Sequence, residues 1–313
     1  MAGAVDGPPS VVVRHAARFG LALLVGLFLL SGCARLPQDQ GVIAWMSNTS
    51  GNYELWAADS SARNVRQLTH TPDLIEAAPA WTRDGSRLAF HGFRNSGSEL
   101  YSLPMTDPLG APQPLGSGAR GDQSDTDPAW SPDGRQLVFV SDRGGNRDLY
   151  IIDADGQNLR QLTATPEDEG GPDWSPDGTA IVFHRFSPGA PIANLYALSP
   201  DGANERQLTN LRAMNIEPAW SPDGQRIAFM SDRDGGEYEL YMMAADGREQ
   251  IRLTRTTWPE ELPAWSPDSA WLVYAAQPDP LGDFDLYVLH VDGDRKAQPF
   301  IQRPGDDRWP AWR

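Results

Sequence analysis

Cysteine occurs once in this chain of 313 residues, at Cys33, and lysine once, at Lys296. A lone thiol excludes an internal disulfide, so packing and hydrogen bonding must hold the chain folded. Basic side chains are scarce overall: 26 Lys and Arg stand against 42 Asp and Glu, a formal net charge of -16. Nucleic-acid binding leaves a basic footprint, and this balance argues against it. The same balance suits a cationic partner, a metal ion or plain solubility. The apolar run near the start, Phe19 to Leu30, is only twelve residues long, too short to span a bilayer as a helix. There is no Gly-x-Ser-x-Gly elbow, which removes one large class of hydrolases. Helical periodicity is missing beyond residue 40, which argues against helical bundles and α/β layers.

What is present is a repeat. Pro128-Ala129-Trp130-Ser131-Pro132-Asp133-Gly134 returns as Pro172 to Gly178 and as Pro218 to Gly224. Looser copies stand at Pro79 to Gly85 and Pro263 to Ser269, and Pro310-Ala311-Trp312-Arg313 begins another. The repeat tryptophans fall at 81, 130, 174, 220, 265 and 312. A period in the mid-forties marks a repeat architecture.

Each repeat spells four short strands. Pro128 to Trp130 is the first, and Ser-Pro-Asp-Gly is turn chemistry: proline pre-sets φ, and glycine accepts positive φ. Leu137 to Val140 is a continuous apolar run, as expected of a strand covered on both faces. Asp148 to Ile152 is the third strand, Asp155-Gly156 a hairpin turn, and Leu159 to Thr163 the fourth strand. Four antiparallel strands per repeat make one propeller blade. Six third strands carry a Leu-Tyr or Leu-Trp pair, from Leu55-Trp56 to Leu286-Tyr287. The expected fold is therefore an all-β, six-bladed propeller over residues 41–313, with the repeat aromatics in an interblade core. The chain enters on a second-strand pattern, Val42 to Ser47, and leaves on the missing first strand, Pro310-Ala311-Trp312. Ring closure by pairing the C-terminal strand with the N-terminal blade hides two open sheet edges.

The pattern Pro-x-Trp-Ser-Pro-Asp-Gly, Ser-Asp-Arg, Asp/Glu-Leu-Tyr, Asp-Gly, Leu-Thr resembles the repeats of the TolB-type six-bladed propeller family, whose namesake is the periplasmic component of the Tol-Pal system. TolB proteins carry an α/β domain ahead of the propeller, whereas only Ala34 to Gln40 separates leader from first blade here. The resemblance therefore points to a TolB-like propeller lacking that domain. Similar repeats also look like those of peptidase propellers and polysaccharide lyases, so fold alone does not name a function.

Residues 1–32 read as a lipoprotein signal peptide, with Arg14 and Arg18 before the apolar run, to be set aside from the fold. Leu30-Ser31-Gly32-Cys33 resembles the bacterial lipoprotein processing signal. That implies cleavage before Cys33, lipidation of its thiol, and a short linker over 33–40. The expected localisation is the cell envelope, exported and lipid-anchored, leaning to the outer membrane because Ala34 is not a retention aspartate. The lipid anchor is then the sole membrane contact.

Candidate site residues follow from strand direction. The Ser-Pro-Asp-Gly and Asp-Gly turns share one face; the Ser-Asp-Arg loops and the interblade connections share the other, where long variable loops favour binding. Glu76, Asp127, Glu169, Glu217, Glu261 and Asp307 precede the innermost strands and are expected to ring the channel mouth. Like charges converging there suit a cationic or Arg/Lys-bearing partner, against the alternative of solvated loop carboxylates. Trp258 and Trp309 lie in the same connections and read as either contact or packing aromatics. His91 and His184 share a second-strand position that is apolar elsewhere, and read as core histidines rather than metal ligands. The acids before Leu-Tyr, such as Glu54 and Asp148, read as structural.

The function these features favour is a monomeric, non-enzymatic envelope scaffold that binds a protein; the resemblance implies a partner such as a peptidoglycan-associated lipoprotein. The alternative is a carbohydrate-binding or carbohydrate-degrading, lyase-like propeller with a divalent cation. No cofactor or metal residue is assigned, with a structural Ca2+ left open.

Overall fold

The computed structural model describes residues 41–94, 97–106, 111–118 and 123–313. The signal-peptide and lipidation readings, residues 1–40, lie outside the described residues. Among the described residues every regular element is a strand, and the strands form six four-stranded antiparallel sheets. The innermost strands are Asp307–Trp312, Ile75–Trp81, Asp125–Trp130, Glu169–Trp174, Asn215–Trp220 and Glu260–Trp265, for blades one to six. Each touches the next around a closed ring. The chain is a six-bladed propeller.

Closure is as expected. Asp307–Trp312 pairs with Val42–Ser47, matching Ile43 to Trp312 and Ser47 to Asp307. Between blades lies the apolar core: Val138, Val140, Leu149 and Ile151 of blade three pack on Trp174, Ile181 and Phe183 of blade four. Burying such side chains stabilises by about 1.5–3 kcal/mol each. The fourth strands are shorter than expected. In blade three only Arg160–Gln161 pairs, because the following Thr163 turns its hydroxyl inward, accepting the Leu149 N–H at 2.8 Å. Short outer strands also leave little edge for another sheet to join.

The turn motif explains itself. Ser131 Oγ donates to Asp133 Oδ1 at 2.6 Å, and Asp133 Oδ1 accepts the Arg135 N–H at 3.1 Å. Gly134 closes the turn at φ +68°, where a side chain would be strained.

One feature of the innermost strands sets the channel. Proline at 79, 128, 172, 218, 263 and 310 has no N–H to give the second strand. The register slips there, between Thr126 and Ala129 in blade three and between Ile216 and Ala219 in blade five. The residue before each proline takes a left-handed conformation: Ala78, Asp127, Gly171, Glu217, Leu262 and Trp309 have φ between 48° and 57°. Only blade four meets this with glycine. For the others the left-handed backbone costs about 1–2 kcal/mol each.

Candidate functional site at the channel

Counting from the prolines sorts the acidic residues into rings with different surroundings. Three residues before proline stand Glu76, Asp125, Glu169, Asn215, Glu260 and Asp307, each at most 1% exposed. These side chains are clamped within their own blade or against the end of the blade before it. Glu76 accepts from Thr69 Oγ1 and, at 2.8 Å, from Thr71 Oγ1; Glu169 and Glu260 accept from Thr163 and Thr254 likewise. Glu76, Glu169 and Asp307 therefore do not ring an open mouth, contrary to the expectation. The bulge after them turns the chain over, so they point away from the channel and the later residue faces it.

Four blades add a guanidinium to this clamp. Arg143 meets Asp125 at 2.6 Å and lies over the Phe139 and Tyr150 rings at 5.6 and 5.1 Å. Arg185 does the same with Glu169, Phe183 and Tyr196, and Arg303 with Asp307, Trp45 and Trp56. In blade five Arg233 donates to Asn215 Oδ1 at 2.5 Å above Phe229 and Tyr241. Blades two and six hold their clamp glutamates by hydroxyls and backbone N–H groups, and burial pushes Glu76 and Glu260 up to about 7. The acids before Leu-Tyr are structural within their own blade: Glu54 accepts the Thr71 N–H at 2.8 Å, and Glu239 pairs with Arg252 at 2.6 Å.

The channel itself is a cavity of about 290 Å³ lined by the Pro-Ala-Trp segments of five innermost strands and by Gly171, Pro172 and Asp173 of blade four. Its wall is uneven. Asp127 and Glu217 face it from blades three and five, with Asp173 of blade four deeper in; Ala78, Leu262 and Trp309 supply the apolar side. Burial pushes Glu217 up to about 8, with the Asp127 and Glu261 charges adding to it. Asp173 is pushed to about 7 by burial, although it accepts the Trp220 N–H at 2.7 Å. Sequence reasoning passed over Asp173, yet the signal was there: the other five repeats carry alanine at that position.

Glu261 stands one position earlier than Glu217 in its repeat and is tied to Arg308 of blade one at 3.1 Å. Trp258 packs against the core between blades five and six. Trp309 lines the channel and meets the His91 ring edge-on at 6.2 Å.

The two aligned histidines are acceptors for the strained backbone. His91 Nδ1 accepts the Asp127 N–H at 3.2 Å, and His184 Nδ1 accepts the Glu217 N–H at 3.3 Å. In blade five Met230 Sδ takes the Leu262 N–H at 3.2 Å. Each side chain thus satisfies the left-handed residue of the next blade. An acceptor nitrogen must be unprotonated, and burial accordingly holds His184 down at about 3 and His91 below its ordinary value. Among the described residues no group of three His, Cys, Asp or Glu has metal-binding geometry.

The loop face beside the channel is apolar on one side. Ile75 and Phe93 are paired across strands and are 44% and 39% exposed. Leu211 and Leu281 add exposed side chains from the connections and loops of the same face.

Comparison with known proteins settles the family. The family described as the TolB beta propeller domain matches residues 40–313. The chain belongs to this family. A Tol-Pal system protein TolB from Desulfosudis oleivorans is 32% identical over 68 residues, 22% of this chain and 15% of that relative. Among solved structures, TolB of Acinetobacter baumannii superposes with a TM-score of 0.73 at 22% identity, covering 88% of this chain and 67% of that one. An oligogalacturonate lyase from Vibrio parahaemolyticus superposes with a TM-score of 0.59 at 17% identity, covering 84% and 75%. At these identities the structural likenesses speak for the TolB-type propeller fold and leave activity open.

Proposed function

We propose that this TolB-type propeller is an exported, lipid-anchored scaffold of the cell envelope that binds a protein through its loop face. The observation that carries this reading is the pairing of an acidic channel wall, Asp127 and Glu217, with the exposed Ile75–Phe93 patch on one face. An apolar patch beside the channel carboxyls suits a partner segment with an aliphatic or aromatic anchor and an Arg or Lys, whose positive charge would favour the ionised form of Glu217. Kinship to a Tol-Pal system protein supports an envelope setting, and Leu30 to Cys33 supports lipid attachment. A peptidoglycan-associated lipoprotein is the partner class to try first. Binding without catalysis fits the histidines, whose Nδ1 atoms are spent on backbone N–H groups.

The test is a pull-down from envelope extract with residues 34–313, beside Glu217→Gln and Phe93→Ser variants and a turn-face control, Gln157→Ala. A partner held by parent and control but lost by both loop-face variants supports the reading. Capture indifferent to all three changes refutes the loop face as the site. A polysaccharide retained by the parent would favour the lyase-like alternative.

A further inference from the structure

We infer that the turn face of the propeller lies against the bilayer that anchors it, so that the channel mouth at Asp127 and Glu217 opens away from the membrane. This rests on the proposed lipid attachment at Cys33.

The first argument is where the chain enters. Val42 and Arg313 exchange backbone hydrogen bonds of 2.9 and 3.1 Å, and Gly41 O accepts the Ser60 N–H at 3.3 Å. A Cβ at Gly41 would lie 3.5 Å from Pro267 Cγ, in the Ser-Pro-Asp-Ser turn of blade six. Arg313, Ser60 and Pro267 all belong to the turn face, so the chain reaches the propeller in the middle of that face, at a second strand.

The second argument is reach. Seven residues, Ala34 to Gln40, separate Cys33 from Gly41. Pulled taut, such a tether spans at most about 29 Å. Presenting the loop face to the lipid would take the tether past two outer strands at about 4.8 Å each. It would then clear their side chains and climb a six-residue strand of about 20 Å. That path of about 30 Å, before any side chain is cleared, already uses the whole taut length, whereas the turn face, where Gly41 lies, asks for none of it.

Charge points the same way. On the turn face three aspartates are matched by arginines: Arg135 with Asp133 at 3.8 Å, Arg248 with Asp246 at 3.5 Å, Arg226 with Asp292 at 3.0 Å. Arg83 stands where blades three to six have the turn proline, and its Nη1 crosses the turn-face mouth to donate to Pro176 O at 3.2 Å. On the loop-face side the Asp127 carboxylate lines the channel, and anionic headgroups repel it.

The experiment uses the full lipidated protein in vesicles of phosphatidylethanolamine and phosphatidylglycerol containing a headgroup spin-labelled lipid. A fluorophore is placed on Gln157→Cys, on the turn face, or on Thr257→Cys, on the loop face; lipidated Cys33 has no free thiol to compete. We expect quenching at position 157 at least threefold stronger than at 257. Equal quenching, or the reverse order, overturns the orientation. Mass analysis of the N-terminal peptide reports Cys33 separately: an unacylated Cys33 removes anchor and orientation together, while an acylated protein with equal quenching removes the orientation alone. Lengthening the linker by 20 Gly/Ser residues should bring the two positions toward equal quenching; an unchanged ratio would show that the tether does not set the orientation.

Discussion

Trp45 Nε1 donates to Asp307 Oδ1 across 2.8 Å, joining residues 262 positions apart. Among the described residues Asp307 opens the last strand and Trp45 lies in the first, so this bond sits where the ring closes. Arg303 stacks on the Trp45 ring at 5.5 Å and holds the same carboxylate.

Closure should therefore be sensitive at this pair. Trp45→Phe keeps the ring but leaves the buried carboxylate short of a donor, an expected loss of about 1–3 kcal/mol. Removing residues 307–313 takes away the innermost strand of blade one and should abolish a single cooperative melt. Calorimetry distinguishes the two; a truncated chain that melts like the parent would refute closure as a source of stability.

The clamp arginines should differ by blade. Arg143→Ala strands the charge of Asp125, which is fully buried, and should cost about 3–5 kcal/mol. Arg233→Ala leaves neutral Asn215 and should cost about 1–2 kcal/mol. Urea midpoints at constant slope measure both; equal losses would show that stacking, common to both, outweighs charge.

His184→Met should keep the fold, because Met230 does the same task for Leu262 one blade on. It should also alter acid sensitivity. A histidine held near 3 binds fewer protons folded than unfolded, so its contribution is present above the unfolded value and lost as pH falls toward 3. The His184→Met protein should lose less stability than the parent between pH 6.5 and pH 4. Adding EDTA should move neither melting temperature.

Glu217→Gln should act at the other end of the scale. The carboxyl of Glu217, raised to about 8, binds more protons folded than unfolded, so its ionisation weakens the fold as pH climbs from about 4.5 to 8. The variant should melt several degrees above the parent at pH 8.5 and close to it at pH 5. The same variant should bind the partner less well, separating stability from recognition. Identical pH profiles would mean that Glu217 is well solvated.

The propeller was legible in the chain because each blade needs the same few residues at the same spacing: a proline that cannot pair, a tryptophan for the interblade core, an Asp-Gly turn. Blade number and ring closure follow from counting these. The site was less legible. Glu76 and Glu217 both precede a Pro-x-Trp strand, yet one is sealed against the preceding blade and the other faces the channel. The three-residue and one-residue offsets from proline would have separated them, since the bulge reverses which side each faces. No offset, however, announces Arg143, Arg185 and Arg303, which come from three different sequence positions to the same place over a carboxylate and two rings. Local sequence determines strands and turns through backbone preference. Which charges meet depends on strands lying side by side within a blade and between blades: Arg143 reaches Asp125 18 positions back and Arg308 reaches Glu261 47 positions back, and that only the folded ring decides.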